Sequence, residues 1–230
     1  MRTIFSLVSL AALAAVSPAF AADGDSGRFT VGVTGGTLGI GPEISYRLTD
    51  NLGIRGNATF LSVSHNIDSD DINYDGKVKL KSGGVMLDVY PFGGGFRISG
   101  GARINKNKAR GIGEPNNGTY TINGVQYDAN SFVTSVRADT DIKDFAPALT
   151  LGYGGGISSG FTFGVEAGAL FQGRVKVKPL TITGQCATNP AQLGCANIVA
   201  DLEAERQSVN DDIDGYKVYP ILQISLGYRF

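Results

Sequence analysis

The stretch 219-YPILQISLGYRF-230 decides the fold. Leu222, Ile224, Leu226, Tyr228 and Phe230 recur at every second position, and Gln223, Ser225, Gly227 and Arg229 fill the positions between. A period of two belongs to a β-strand, whose side chains point alternately to opposite faces. One face of this strand is apolar over its whole length, and the other is polar.

The same alternation recurs upstream. In 37-TLGIGPEISYRL-48, Leu38, Ile40, Ile44, Tyr46 and Leu48 oppose Gly39, Gly41, Glu43, Ser45 and Arg47. In 95-GFRISGGARINK-106, Phe96, Ile98, Ala102 and Ile104 oppose Arg97, Ser99, Arg103 and Asn105. In 160-GFTFGVEAGALFQGR-174, Phe161, Phe163, Val165, Ala167, Ala169 and Phe171 oppose Thr162, Gly164, Glu166, Gly168, Gln172 and Arg174. The stretch 78-VKLKSGGVMLDVY-90 is apolar in both phases. Placing Val85, Leu87 and Val89 outward turns Asp88 inward and sets Lys79 and Lys81 outward, near the end of the strand. A lipid-facing lysine is tolerated there and costs about 2–4 kcal/mol at a bilayer midplane.

Eight strands are predicted, at 27–35, 37–48, 52–64, 78–90, 95–108, 143–154, 160–178 and 216–230. Short turns near 49–51, 91–94 and 154–159 alternate with longer polar connections at 65–77, 109–142 and 179–215. This asymmetry, short on the periplasmic side and long outside, is typical of outer-membrane barrels. The Gly35-Gly36 turn is the exception, and 27–48 also reads as one long bent strand. An even strand count, with both termini on the periplasmic side, favours two strands. Backbone groups in hydrocarbon must all be paired, and only a closed barrel achieves that with strands. The expected fold is therefore all-β, an eight-stranded antiparallel transmembrane β-barrel of outer-membrane type with long external loops. Its last strand closes on its first. Leu226, Tyr228 and Phe230 are the expected assembly signal, with the aromatic terminus in the periplasmic interface belt. The rival is the last strand of a soluble sandwich.

Residues 1–21, MRTIFSLVSLAALAAVSPAFA, hold one early cation, an apolar run and a small-residue Ala-Phe-Ala end, the pattern of a cleaved signal peptide. The residue after the cut is Ala22 and not a cysteine, so a lipid anchor is not indicated. The remaining 22–230 reads as one barrel domain, exported to the outer membrane of a Gram-negative bacterium. Twenty Lys and Arg against 21 Asp and Glu exclude a basic nucleic-acid surface of the usual kind.

The segments 119-TYTINGVQYDA-129, 144-DFAPALTLGYG-154, 162-TFGVEAGALFQGRVKV-177 and 200-ADLEAERQSVNDDIDGYKVYP-220 resemble the small CarO-type outer-membrane porins of Gram-negative bacteria. The resemblance implies an eight-stranded, monomeric barrel. For some members it also implies uptake of basic amino acids and permeability to some antibiotics. It supplies no short substrate motif to carry over by residue.

The predicted lumen lining is Glu43, Arg47, Arg55, Asp88, Arg97, Arg103, Glu166, Arg174 and Arg229. An eight-stranded barrel is only about wide enough for side chains to fill. Charges away from water must be paired. The set therefore reads either as an internal ion-pair plug or as a narrow charged passage. Its excess of arginine would favour anions, although acids on the external loops could still collect cations.

Asp71, Asn73, Asp75 and Gly76 match the opening half of a calcium loop, but Ser82 stands where the closing glutamate belongs. The stretch reads as a solvated acidic loop, and no metal or cofactor is expected. Cys186 and Cys195, in an exported chain, read as a disulfide closing a short loop, with a gain of about 2.5–3 kcal/mol in the chain-entropy account. Ile198, Leu202 and Val209 have helical spacing within 196–212, which suggests an amphipathic helix on the rim. The single histidine, His65, sits beside Ser64, which points to the opposite face of the same strand, so no catalytic pair forms and an enzyme is disfavoured.

The expected function is porin-like passive uptake of small polar solutes. The alternative is a non-conducting structural or surface-interaction barrel acting through its external loops. Expected partners are outer-membrane lipids, the outer-membrane assembly machinery and small polar solutes, with no nucleic acid.

Overall fold

A computed structural model describes residues 27–68, 72–115, 119–128, 133–154, 159–192 and 194–230. The expected signal peptide lies outside them. In chain order the elements are β1 (Phe29–Gly36), β2 (Gly39–Arg47), β3 (Leu52–Asp68), β4 (Ile72–Val89), β5 (Phe96–Asn105), β6 (Lys108–Pro115), β7 (Thr119–Ile122) and β8 (Val125–Asp128). They continue with β9 (Ser135–Asp141), β10 (Phe145–Gly154), β11 (Gly160–Leu170), β12 (Lys176–Val177), β13 (Thr181–Thr183), α1 (Gln185–Thr188), α2 (Cys195–Ile213) and β14 (Tyr219–Arg229).

Eight strands close a ring, β1-β2-β3-β4-β5-β10-β11-β14 and back to β1, and every neighbouring pair is antiparallel. The seam joins the two ends of the chain, with Val33 opposite Leu226 and Val31 opposite Tyr228. The first hairpin is two strands, turned at Thr37-Leu38, and Gly39 leaves the turn at φ +100, where a side chain would be strained. Closure leaves no sheet edge around the ring.

Alternation decides what faces outward. Val85, Leu87, Ile98, Leu151, Phe163, Leu222 and Ile224 are exposed on the outer wall. Asp88, Arg55, Ser99, Thr150 and Gln223 are buried inside. In β4 the expected phase holds, with Val85 56% exposed and Asp88 1%. Leu38 departs from the expectation. It belongs to the turn, not the strand, and is 3% exposed because it folds over the mouth of the ring.

The three long connections contain regular structure. Beyond the ring, β3 and β4 stay paired as far as Asp68 opposite Asn73, so 65–77 is mostly the end of a hairpin, with 69–71 outside the described residues. β6 pairs with β4 in the register β5 established, Ser82 opposite Asn105 and then Lys79 opposite Lys108. β9 likewise pairs with β6 in the register of β10 on β5, Phe145 opposite Ile104 and then Asp139 opposite Arg110. One side of the wall therefore continues past the ring as a sheet, completed by β12 and β13 on β9. β11 ends at Leu170, short of the expected 178.

The inner side of this extension carries a second core. Ile122, Val133, Cys186, Cys195, Ile198 and Leu202 are buried together, with Tyr127, Val136, Leu180 and Ile182 packed against them. Cys186 and Cys195 form a disulfide, Cα–Cα 5.3 Å. The expected amphipathic helix is α2, and it buries Ile198 and Leu202. The hairpin β7-β8 is tied to α2 where the Asn123 amide donates to Glu205 at 3.1 Å and the Tyr127 hydroxyl bonds Asp201.

Candidate functional site

Inside the ring, charged side chains from five strands converge. Arg55 on β3 donates from Nε and Nη2 to the two oxygens of Asp88 on β4, both at 3.2 Å. Its Nη1 meets Glu43 on β2 at 3.3 Å and Glu166 on β11 at 2.5 Å. Arg97 on β5 reaches the same Glu166 oxygen at 3.1 Å. These side chains are nearly or fully buried, so the attraction acts in a low dielectric and has desolvation to offset. One guanidinium shared among three carboxylates and a second sharing one of them keep every charge of the cluster in contact with an opposite one.

The remaining inward arginines are held differently. Arg103 donates to Asn57 at 2.6 Å, Ser82 at 2.9 Å and Thr59 at 3.5 Å, all neutral oxygens. Arg47 lies 3.6 Å over the Tyr90 ring and donates to the Gly94 carbonyl at 2.8 Å. Arg229 donates to Thr30 at 3.1 Å. Arg174 is not part of this cluster. Its strand has already ended, its side chain is 59% exposed, and it pairs with Asp214 at 2.9 Å.

Toward the long-connection mouth the interior turns apolar. Leu38, Met86, Ala146, Ala148, Leu170 and Ile221 are buried together, with Tyr219 against them. Glycine on facing strands makes the room. A Cβ at Gly101 would lie 2.8 Å from Met86 Sδ, and one at Gly168 would lie 2.6 Å from Thr150 Cγ2. Near Arg55 and Arg229 two cavities of about 40 and 20 Å³ remain. A water needs on the order of 10–15 Å³ by this measure, so they hold a few waters and nothing the size of an amino acid.

Period-two reading picked out the charges and placed Ser99 on their face, but missed most of their neutral partners. Asn57, Thr59, Ser82 and Tyr90 lie at inward positions and could have been found by extending the same parity. Met86 had that signal too. Leu38 had none, because turns carry no alternation.

The other expected sites are placed as follows. Leu226, Tyr228 and Phe230 lie exposed on the outer wall, where Tyr228 meets Phe161 and Phe230 edge-on at centroid distances of 5.4 and 5.0 Å. Asn73, Asp75 and Gly76 of the calcium-like segment lie on β4, in a strand instead of a wrapping loop, and Asp71 is outside the described residues. His65 is exposed on β3 opposite Gly76.

No protein-family model matches the chain, and no curated protein matches it in sequence. Among solved structures, that of Acinetobacter baumannii CarO2 is similar with a TM-score of 0.57 at 17% identity, over 88% of this chain and 98% of that one. That of Acinetobacter baumannii CarO is similar with a TM-score of 0.54 at 18% identity, over 90% and 98%. In fold, then, the chain is a CarO-like all-β barrel, as the sequence resemblance led one to expect.

Proposed function

We propose that the protein is a sealed outer-membrane barrel, a non-conducting anchor whose work is done by the disulfide-stapled sheet and helix on its outer side. The observation that carries this is the filled interior: an ion-pair cluster, then an apolar mouth, with cavities of about 40 and 20 Å³ between side chains. The apolar outer wall, closed without an edge, supports the membrane placement. A porin-like passage for small polar solutes is the competing reading, and it requires the Leu38–Met86–Leu170–Ile221 cluster to part. Planar-bilayer recording of the refolded full chain separates the two. Silence over many verified insertions is the expected result, and resolved current steps that change on Glu166→Gln would overturn it.

We also propose that Leu226, Tyr228 and Phe230 are read by the outer-membrane assembly machinery before the seam closes. Phe230→Ser is expected to lower the folded outer-membrane level several-fold in cells while leaving refolding in detergent unchanged. Equal levels in cells would remove the assembly role.

A further inference from the structure

The outer face of the extended sheet differs sharply from its inner face. Because β6 and β9 keep the registers of β5 and β10, the outward parity of the ring runs into the extension unbroken. Along β4 the exposed outward positions Val89, Leu87 and Val85 lead on to Lys81, Lys79 and Lys77. Along β5 and β6, Ile98 and Ile104 lead on to Lys106, Lys108 and Arg110. The change from apolar to basic occurs in one step, directly above exposed Ile104 and Phe145 and beside exposed Phe60. Phe60 is the cross-strand partner of Lys81 itself.

The cations are gathered by pairing. Lys77 stands opposite Arg110, which stands opposite Asp139, and in the next row Lys79 stands opposite Lys108. Like charges directly opposite one another on a sheet are unfavourable by themselves. They line a hollow of about 490 Å³ together with Lys106, Arg137 and Lys178, seven cations against Asp139, Asp141 and Asp144. The acids are engaged: Asp139 meets Arg110 at 2.7 Å and Arg137 at 2.8 Å, Asp144 meets Lys106, and Asp141 meets Lys178 at 3.6 Å. Lys77, Lys79 and Lys108 have no carboxylate within ion-pair distance among the described residues.

We propose that this basic hollow is a binding site for the phosphorylated headgroup of a lipid in the outer leaflet, with the lipid's acyl chains lying on the Phe60–Ile104–Phe145 belt beneath. The inference rests on the membrane placement proposed above. A headgroup with more than one phosphate supplies the several anionic oxygens that three uncompensated ammonium groups and two arginines can bind, and basic clusters at a membrane boundary bind anionic lipid in this way. A soluble anion would gain the charge contacts but leave the adjoining apolar belt without a partner. The unbroken step from belt to hollow therefore favours the lipid over a free phosphate.

The test uses the full chain in phosphatidylcholine nanodiscs, titrated with bisphosphorylated lipid A and read by native mass spectrometry. Lipid A is expected to bind one protein in preference to phosphatidylcholine. Lys77→Glu/Lys79→Glu/Lys108→Glu should raise its Kd at least tenfold, and the milder Lys→Gln triple variant severalfold, both keeping the heat-modifiable folded band. Monophosphorylated lipid A should bind more weakly than the bisphosphorylated form, and inorganic pyrophosphate should compete only at far higher concentration. Unchanged affinity in both folded variants, or pyrophosphate binding as tightly as lipid A, would overturn the proposal. A chain that enters the phosphatidylcholine nanodiscs and ignores lipid A sinks this site alone, whereas one that never enters them sinks the membrane reading with it.

Discussion

Arg55 touches carboxylates from three different strands, which makes it the most connected side chain of the lumen. Replacing it with Met would leave Glu43, Asp88 and Glu166 facing one another without their shared cation. Breaking a buried pair by removing one partner costs about 3–5 kcal/mol. Arg55→Met is therefore expected to lose about that much stability, measured by urea unfolding followed through the heat-modifiable band. Arg103→Met should cost less, about 1–3 kcal/mol, because the partners it abandons are the neutral oxygens of Asn57, Thr59 and Ser82. The reverse order would show that the cluster is not organised around Arg55. The charges of this cluster are legible in the sequence because each alternates with an apolar stripe and so falls on the inward parity. Their pairing is not, since which arginine meets which carboxylate depends on the tilt and stagger of the closed ring. Arg174 has the right parity and the wrong place, because parity carries no meaning once β11 stops at Leu170.

At the scale of elements, the eight ring strands were legible because an apolar outer wall around a polar packed interior imposes alternation on every strand of the ring. The strands of the extension were not, because one of their faces meets a small core and the other is exposed and basic, which leaves a glycine-rich, charge-rich pattern indistinguishable from a polar loop. The disulfide was legible from two cysteines in a chain that opens with a signal-peptide pattern. It closes the short segment that enters α2, so Cys186→Ser/Cys195→Ser should weaken the outer core by about 2–3 kcal/mol and leave the ring intact. Limited trypsin digestion is then expected to cut within 179–215 faster than in the parent chain while the barrel band persists. On α2 itself, Arg206 and Gln207 hydrogen-bond the Glu203 carboxylate and pull its pKa down to about 2 from 4.5. A depressed carboxylate contributes stability that is present above pH 4.5 and disappears as the pH falls through about 2. Pepsin cleavage of α2 should accordingly rise as the pH is lowered from 4.5 to 2. In Glu203→Gln the rise should be smaller, and an identical pH profile would remove the pair from the account.

For the whole molecule, the question is whether the ring is a wall around a path or a wall around a plug. Packing bears on this directly: glycines at 101 and 168 sit where a methyl group would collide with the paired strand's backbone and with Met86 or Thr150, so neither position has room for a larger side chain. The apolar mouth should be the element that resists ions, since water and charge are both excluded where Leu38, Met86, Ala146, Leu170 and Ile221 meet. Shrinking two of these side chains at once is the direct test. Met86→Ala/Leu170→Ala leaves the ring's hydrogen bonds and the Arg55 cluster in place and removes two of the large side chains that fill the mouth. The loss of packing is expected to cost about 4–10 kcal/mol across the two sites, so the variant must first be shown to refold by its heat-modifiable band. If folded, it should pass small ions in a planar bilayer where the parent chain is silent, and its current should respond to Glu166→Gln because ions that enter would next meet that carboxylate. Parent and variant both silent would place the barrier deeper, in the ion-pair cluster itself. A conducting parent would mean that the mouth opens by itself, and the sealed-anchor reading would give way to the passage.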